Sequence, residues 1–443
     1  MESIKGEQQS GRILEMFEVP YERAVNAVYG LARDPEGRMY VAFSGALEGY
    51  KPPRYTVIVT RLDAQNNLDK GYGEQGFTTI DFFRESGLQL QAMVLQDEGS
   101  VVLIAYGHAR TAAGLVKLDA SGRLDQAFGN GGSIIHYLRD SPVSAAPVTY
   151  ANITPNEHQD SGSGSNARLI SQSSNALICC GGFSHEGKEL VVVAKFRPDG
   201  SLDRTFGQDG VTEISSPRTE VYRLECRAVA ELSDGRMVVF GSAYIELPSG
   251  EPPVRGWICR CLPDGVVDQT FGDKGHLIIG APEGTSNVSR VECGAVAQGP
   301  EFSLACVSNI TVFDPGAPLN LYSQVSFLDQ NGVDLYSFNA GKPVIFDVVS
   351  HEIDFLHAVA VGLDNRIVAA GECTSGTASG RPEMLVARFN TDGSRDTSFA
   401  GQGWFTEAYK GGFHKLRFIM LERRSIVVLG GNNNAATVTV IRN

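Results

Sequence analysis

The sequence lacks a surplus of positive charge. Its 443 residues include 38 Lys and Arg against 51 Asp and Glu, which gives a formal net charge of −13. Lys and Arg form no basic patch of the kind that nucleic-acid binding needs, and the acidic balance also disfavours adsorption to an anionic membrane surface. The composition therefore predicts a soluble acidic protein with no nucleic-acid partner.

Long apolar runs are missing as well. No stretch approaches the roughly 18 consecutive apolar residues of a membrane-spanning helix, so we expect no membrane insertion. The opening residues, MESIKGEQQSGRILEMFEV, lack the apolar core and small-residue cleavage site of a secretory signal. This predicts a cytoplasmic protein and leaves export by a leaderless route open.

Cysteine pairs with metal-ligand spacing are also absent. None of the eight cysteines forms a Cys-x-x-Cys pair, and most lie in strand-like apolar runs. We therefore expect reduced, structural thiols, with no metal site and no cofactor.

Glycine, in contrast, is abundant. The chain has 50 Gly, well above the usual share of about 7%, and only 20% charged residues. Together with many Val, Ile and Phe, this composition indicates short strands joined by tight turns.

A sixteen-residue phrase recurs along the chain. KFRPDGSLDRTFGQDG (195–210) and RCLPDGVVDQTFGDKG (260–275) are close copies, and further copies occupy 61–76, 117–132, 388–403 and, in worn form, 326–341. We call each copy a repeat phrase. Every copy carries an aspartate at its ninth position: Asp69, Asp125, Asp203, Asp268, Asp334 and Asp396.

Between the phrases lies a second repeating unit, an apolar run, a polar turn and another apolar run. There are seven such hairpins, with Asp-Gly or similar turns, and each phrase has one strand before it and one after it. Seven four-stranded units in series predict a seven-bladed β-propeller with antiparallel blades, because a single blade cannot bury both of its faces.

The last unit lacks its fourth strand, and residues 11–19 form a surplus strand at the other end of the chain. We therefore predict that the N-terminal strand pairs in the C-terminal blade and closes a single propeller domain over 1–443. The predicted blades are 26–82, 88–138, 166–216, 222–281, 290–347, 354–409, and 414–443 with 11–19, with an insertion at 139–165.

The chemistry of the repeat phrase is structural. Its Asp-Gly step predicts a turn in which the carboxylate binds backbone N–H groups and Gly takes a positive φ. A large ring follows the motif aspartate by three residues and should fill the seam between blades: Tyr72, Phe128, Phe206, Phe271 and Phe399. The worn copy has Ser337 at this position, followed by Phe338.

A cation stands eight residues before the aspartate in five copies, as Arg61, Lys117, Lys195, Arg260 and Arg388. We expect it to pair with that aspartate. Ca²⁺ binding by these aspartates is disfavoured, because calcium takes six to eight oxygen ligands.

The phrase resembles the delta-60 repeat of bacterial proteins, whose pattern is R-L-x-x-D-G-S-L-D-x-x-F-G-x-x-G. Residues 195–210 and 260–275 match this pattern closely, and the copies together span nearly the whole chain. The resemblance implies a β-propeller. It implies no single activity and no catalytic residues.

The longer connections of the predicted propeller fall on one face. They are residues 44–55, 243–256, 309–320 and 372–383, together with the insertion at 139–165, and we call this the long-loop face. Irregular loops gathered on a rigid frame are typical of recognition surfaces, although drift in exposed loops explains any one of them.

The mouth of the central channel on this face is the other candidate site. Gln91, Asn166, Arg227 and His357 come just before predicted innermost strands and should line it. The similar stretches RLECRAVA and RVECGAVA also place Glu225 and Glu292 in neighbouring blades. These glutamates form either an acid/base pair or a salt-bridged rim left by blade duplication.

The sequence favours a non-enzymatic binding scaffold that contacts a protein or glycan partner through the long-loop face. The alternative is a hydrolase or lyase acting on a small polar or sugar-like substrate at the channel mouth. A lectin with equivalent sites would need a shared set of exposed residues in every blade, and the blades share none outside the phrase. The sequence assigns no catalytic residue and no oligomeric state.

Overall fold

The computed structural model describes residues 10–49, 55–107, 111–138, 168–169, 177–185, 188–246, 254–283, 285, 288–312, 320–347, 351–375, 382–408, 415–431 and 435–443. Within these ranges nearly all regular structure is β-strand, and the single α-helix, α1 (Phe82–Ser86), has five residues. No helix in the described ranges is long and apolar enough to cross a membrane. The prediction of an all-β fold is confirmed.

The strands form antiparallel groups, which we number by their order along the chain. Groups 1 and 2 are separate four-stranded sheets, each with two hairpin strands, a third strand before the repeat phrase and a fourth after it. Their strands are β2 (Val25–Arg33), β3 (Met39–Ala46), β4 (Tyr55–Leu62), β5 (Phe77–Ile80), β6 (Gln89–Leu95), β7 (Val101–Gly107), β8 (Ala112–Leu118) and β9 (Ser133–Tyr137).

Group 3 is only partly described at its first strand, because residues 139–167 and 170–176 lie outside the described residues. It comprises β10 (Arg168–Leu169), β11 (Leu177–His185), β12 (Lys188–Phe196) and β13 (Val211–Ile214). The described residues of β10 pair in parallel with the first strand of group 4, with Arg168 opposite Ala228. The expected antiparallel pairing of a strand at 167 with β11 is not present among the described residues.

Groups 4, 5 and 6 repeat the four-stranded pattern. Their strands are β14 (Val221–Glu231), β15 (Met237–Ile245), β16 (Val254–Cys261), β17 (His276–Ile279), β18 (Val288–Gln298), β19 (Leu304–Val312), β20 (Asn320–Leu328), β21 (Val344–Phe346), β22 (His351–Val361), β23 (Ile367–Ser375), β24 (Pro382–Phe389) and β25 (Trp404–Ala408). Single parallel bridges join the third strand of one group to the first strand of the next, as between Val254 and Arg290. These bridges merge groups 3 to 6 into one extended sheet.

Group 7 combines the two ends of the chain. It contains β26 (Lys415–Leu421), β27 (Ser425–Gly431) and β28 (Ala436–Arg442), and its fourth strand is β1 (Ile13–Glu18). β1 runs antiparallel to β28, with Met16 opposite Thr439 and Glu18 opposite Thr437.

The first strands of successive groups contact one another. The contacts run from β2 through β6, β10, β14, β18 and β22 to β26, and β26 also contacts β2. We call the space between these strands the axial region. Buried clusters fill the seams between groups; Val28 and Phe43 of group 1, for example, share one with Val427 and Leu429 of group 7.

The turn of the repeat phrase has the predicted geometry. In the 260–275 copy, Asp264 Oδ1 accepts a hydrogen bond from the Val266 amide at 3.0 Å, and Gly265 has a φ of 87°. A side chain with a Cβ is strained at that φ, which explains why glycine is needed there. The same Asp-to-amide bond forms at Asp199, where the amide of Ser201 donates at 2.9 Å.

The predicted cation–aspartate pair is present in four of the five copies. The nitrogen–oxygen distances are 2.7 Å for Arg61–Asp69, 3.6 Å for Lys117–Asp125, 2.8 Å for Arg260–Asp268 and 2.7 Å for Arg388–Asp396.

In the third copy Lys195 Nζ instead lies 3.4 Å from Glu231 of group 4, and no Lys195–Asp203 ion pair occurs among the described residues. The carboxylate of Asp203 is 3.9 Å from Arg197. The physical reason is that two carboxylates compete for the Lys195 ammonium group, because group 4 places Glu231 at the same seam as Asp203.

The aromatic residue of each phrase is buried against the next phrase. Phe271 is fully buried, and a Cβ at Gly332 of the following phrase would lie 2.9 Å from its ring. The residue after the aromatic donates its amide to the next turn, as Gly272 does to Asn331 O at 2.8 Å. The worn copy uses Phe338 in this way, with Asn339 donating to Asp392 O at 2.8 Å.

Most of the long-loop face lies outside the described residues. The insertion at 139–165 is wholly outside, and so are 50–54, 247–253, 313–319 and 376–381 of the other four connections.

Candidate functional site

A β-bulge interrupts the first strand of each group in which that strand is fully described. The register shifts by one residue between Val28 and Gly30, Leu90 and Ala92, Cys226 and Ala228, Cys293 and Ala295, Leu356 and Ala358, and Leu416 and Phe418. The extra residue in each case is Tyr29, Gln91, Arg227, Gly294, His357 or Arg417. Bulges of this kind redirect a side chain out of the regular sheet pattern.

The predicted position of three candidate residues was wrong. Gln91, Arg227 and His357 were expected just before the innermost strands, but they lie inside β6, β14 and β22. β14 begins six residues before Arg227 and continues through it. The apolar alternation changes phase at the bulge, and the sequence pattern therefore predicts a strand start there. Asn166 lies outside the described residues.

Arg227 and Arg417 lie on the first strands of groups 4 and 7, and the charge of Arg227 acts on Arg417. Burial, followed by the positive charge of Arg227, lowers the pKa of Arg417 to about 10, and Glu372 and Tyr29 oppose that shift. Arg227 makes no hydrogen bond to any described residue, while Arg417 has a partner. The axial region therefore holds two cations whose charges interact.

His357 and Glu372 form a buried pair beside these arginines. His357 Nε2 lies 3.0 Å from Glu372 Oε1, and the two side chains are 12% and 9% exposed. Burial lowers the pKa of His357, the carboxylate of Glu372 raises it, and the charges of Arg417 and Arg227 lower it further. The other polar atoms, His357 Nδ1 and Glu372 Oε2, have no hydrogen-bond partner among the described residues.

We call Tyr29, Arg227, His357, Glu372 and Arg417 the axial cluster. The two remaining bulge residues take no part in it. Gln91 is buried and donates its amide to Cys180 O at 2.7 Å, which ties group 2 to group 3. Gly294 has no room for a side chain, since a Cβ there would lie 2.9 Å from Leu356 O.

Glu225 and Glu292 do not form an acid/base pair with each other. Glu225 makes an ion pair with Arg223 and accepts a hydrogen bond from Tyr244 at 3.0 Å. Glu292 is paired with Arg290 at 2.9 Å. Each glutamate is therefore salt-bridged to the arginine two residues earlier, and Arg223 also pairs with Glu189 at 2.6 Å. Of the two sequence-based alternatives, this arrangement is the salt-bridged rim.

Tyr29, Arg417 and Glu372 were missed by the sequence-based prediction. Tyr29 precedes Gly30 just as Arg227 precedes Ala228. An alignment of the hairpins on their turns would therefore have shown that Tyr29 and Arg417 occupy the same position as Arg227 and His357. Glu372 lies on a second strand, β23, and no sequence signal connects it with His357.

Other parts of the described chain offer less. A cleft of about 300 Å³ is lined by Arg218, Arg255, Asp273 and His276, among others. His276 already accepts a hydrogen bond from Trp257 Nε1 at 3.0 Å, and Arg218 lies 3.4 Å from Asp273. Among the described residues no group of three or more His, Cys, Asp or Glu side chains could hold a metal ion.

The all-β groups, whose first strands adjoin one another, define the chain as a β-propeller. A family model described as "domain of unknown function (DUF5122) beta-propeller" matches residues 172–206 and 363–399. Both segments run from a hairpin through the third strand to the aromatic residue of the phrase, which is the part that repeats most closely. No protein of curated function matches the chain by sequence.

Solved structures resemble the chain in fold over nearly its whole length. Virginiamycin B lyase from Staphylococcus aureus has 10% identity and a TM-score of 0.44, covering 97% of this chain and 98% of its own. The propeller domain of the trilobed protease from Pyrococcus furiosus has 9% identity and a TM-score of 0.43, covering 94% of each chain. The α-L-arabinanase of Penicillium chrysogenum has 12% identity and a TM-score of 0.40, covering 98% of each chain. These likenesses carry no functional argument.

Proposed function

We propose that the strand groups are the seven blades of one closed ring, built from delta-60 repeats as in bacterial proteins. Three observations support closure. β1 completes the sheet of the C-terminal strands, and β26 contacts β2. The amide of Ala400 in the last phrase also donates to Ser10 O at 2.9 Å, so an N-terminal residue takes the place of the next phrase.

On this frame the protein is a non-enzymatic binding scaffold that contacts a protein or glycan partner through the long-loop face. The observation that carries the proposal is that the variable connections all leave from the same end of their strands. They leave from the paired strand ends Ala46–Tyr55, Tyr244–Val254, Val312–Asn320 and Thr374–Pro382. All four lie at the strand ends away from the repeat phrase, where a rigid frame can present variable loops together.

The test compares the two faces of the ring. Residues 247–253 and 376–381 are replaced by Gly-Ser segments of equal length, and binding is measured on a glycan array and in quantitative pull-down. The control is Tyr336→Ser with Leu363→Ser, two exposed residues on the phrase face, 82% and 101% exposed. The loop variant should lose the binding that wild type shows, and the control should keep it. Binding lost only in the control would place the partner on the phrase face and contradict the proposal.

The second candidate function is an enzyme, a hydrolase or lyase acting on a small polar or sugar-like substrate in the channel. The pair of His357 and Glu372 favours it, because a neutral imidazole oriented by a carboxylate can accept a proton through its other nitrogen. His357→Asn should then abolish turnover of a sugar-like or ester substrate panel without changing partner binding. If wild type turns over no member of the panel, this alternative fails.

We also propose that the protein works in a reducing compartment, the cytoplasm. The described cysteines are free and buried, which supports this location: Cys180, Cys226, Cys259, Cys261, Cys293, Cys306 and Cys373. Fractionation of the native host tests it. Recovery of the protein only outside the cell would contradict the location.

A further inference from the structure

We propose that Cys180 and Cys226 are an oxidation site, at which a peroxide converts the two thiols into a reversible disulfide that cross-links groups 3 and 4. Cys180 lies on β11 of group 3, and Cys226 lies on β14, the first strand of group 4. The site belongs to the strand frame, so it is independent of partner binding by the long-loop face.

The two sulfur atoms are in direct contact across the seam between these groups. β11 contacts β14, and Cys226 Sγ lies 2.6 Å from Cys180 Sγ. Each cysteine is also fixed by its own sheet, because Cys180 pairs with Val193 of β12 and Cys226 pairs with Gly241 of β15. A disulfide forms only where the backbone already brings two cysteines together. The seam meets that condition with little movement of either strand.

The surroundings keep this pair reduced until the seam opens. Both cysteines are 1% exposed and belong to one apolar cluster. Burial raises the pKa of Cys180, and the hydrogen bond from Cys226 raises it further. Because the thiolate is the reactive form, oxidation has to follow a transient opening of the seam and is slower than at an exposed cysteine. In a reducing compartment the thiols therefore stay free unless peroxide persists.

The other described cysteines do not offer an equivalent bridge. Cys259 and Cys261 lie two residues apart on β16, where the Cα atoms are separated by about 6.6 Å, near the upper limit for a disulfide. Cys293 and Cys306 belong to paired strands but are not opposite each other, since Cys293 faces Ser308. Among the described residues no other two thiols form a hydrogen bond across a seam. Oxidation should therefore be selective for Cys180 and Cys226.

The reaction consumes one molecule of hydrogen peroxide for each disulfide. The first thiolate attacks a peroxide oxygen and becomes a sulfenic acid, and the hydroxide that leaves takes up the thiol proton to form water. The second sulfur then attacks the sulfenic sulfur, so that the S–S bond forms, the S–O bond breaks and a second water leaves with the remaining thiol proton. Both sulfur atoms are oxidised, and both peroxide oxygens are reduced to water. Exchange with a dithiol restores the two thiols.

The disulfide would close a covalent loop over residues 180–226. This loop contains β12, β13 and the repeat phrase at 195–210. A cross-link of this kind stabilises a protein mainly by restricting the unfolded chain. We therefore expect the melting temperature of the oxidised protein to exceed that of the reduced protein by about 3 °C.

The test uses the full chain, purified with a reductant that is then removed. The native protein is incubated with hydrogen peroxide, the remaining thiols are blocked with N-ethylmaleimide in urea, and tryptic peptides are analysed without reduction. Trypsin cuts after Arg223 and Arg227, so Cys226 lies on a different peptide from Cys180. We expect one cross-linked pair of peptides, the loss of two of the eight thiols and their recovery with dithiothreitol. Fragmentation of the linked peptide distinguishes Cys180 from Cys179, so this readout needs no variant.

Two variants check the assignment through stability. After peroxide treatment, Cys180→Ala should show neither the cross-link nor the rise in melting temperature. Cys179→Ala, which removes the adjacent cysteine, is the matched control and should keep both. The proposal is wrong if wild type forms no bond between Cys180 and Cys226, if peroxide yields only sulfinic acid at these residues, or if Cys180→Ala keeps the temperature rise.

Discussion

Replacing Asp268 by Asn removes the carboxylate from the most buried copy of the cation–aspartate pair. The side chains of Arg260 and Asp268 are 2% and 6% exposed, whereas those of Lys117 and Asp125 in the equivalent pair are 16% and 28% exposed. The repeat therefore offers the same substitution at two levels of burial. Asp125→Asn serves as the matched control.

The contacts of the two aspartates determine how much stability each substitution should cost. Asp268 accepts hydrogen bonds from Arg260 Nε at 2.8 Å and from the amide and hydroxyl of Thr270 at 3.0 and 2.6 Å. Losing the carboxylate leaves the buried Arg260 without its counter-charge, which costs about 3 kcal/mol or more. Among the described residues the Asp125 side chain accepts a hydrogen bond only from the Ala127 amide, at 3.1 Å, and it lies 3.6 Å from Lys117, so its loss should cost about 1 kcal/mol.

Urea unfolding followed by circular dichroism measures both costs, and tryptophan fluorescence reports groups 4 and 6 through Trp257 and Trp404. The difference should also depend on pH. Burial alone would raise the pKa of Asp268, but hydrogen bonds from Thr270 and the charge of Arg260 outweigh it, and the pKa is lowered. The stabilisation is therefore present above the ordinary pKa of 3.8 and lost as the pH falls below it.

Equal costs for Asp268→Asn and Asp125→Asn at pH 7 would refute this reasoning. So would a cost at Asp268 that grows as the pH is lowered toward 3. Either result would mean that the pair orders the turn without stabilising the seam.

Three further predictions follow from particular contacts. Phe271→Ala should lower the free energy of unfolding in urea by about 3–5 kcal/mol, because Phe271 fills a seam completely. Tyr336→Ala, at an exposed position, should change it by less than about 0.5 kcal/mol. Similar costs for the two variants would contradict the seam role. Glu372→Gln should lower the pKa of His357 still further in an NMR titration, because the carboxylate favours the imidazolium; a raised pKa would contradict the pairing. Burial raises the pKa of Cys180, whose thiol lies 2.6 Å from that of Cys226. Labelling of Cys180 by a thiol reagent at pH 8 should therefore be slow in the native protein and fast in urea. Fast labelling of Cys180 in the native protein would contradict its burial.

The repeat phrase made much of the fold predictable. Its Asp-Gly turn, its cation and its aromatic residue are local or recur at fixed spacing, so each could be given a structural role from the sequence. The Lys195 pairing could not, because its partner Glu231 comes from the next group and is not part of the phrase.

The candidate site was less predictable for a physical reason. A β-bulge shifts the apolar alternation by one residue, and the pattern alone then places Arg227 and His357 at a strand start rather than inside a strand. The effect of the Arg227 charge on Arg417 joins residues 190 positions apart and depends on how the first strands assemble. Glu372 enters the cluster from a neighbouring strand for the same kind of reason.

Hydrogen exchange at β28 tests the closed ring most directly. The Arg442 amide donates to Arg12 O at 2.9 Å, and by strand alternation the amides of Val438 and Val440 face β1 as well. These three amides should be protected in the full chain and exchange rapidly once residues 1–18 are deleted, while the amides of β28 that face β27 stay protected for longer. Equal protection in the two proteins would show that β1 does not close group 7, and the ring proposed here would be wrong.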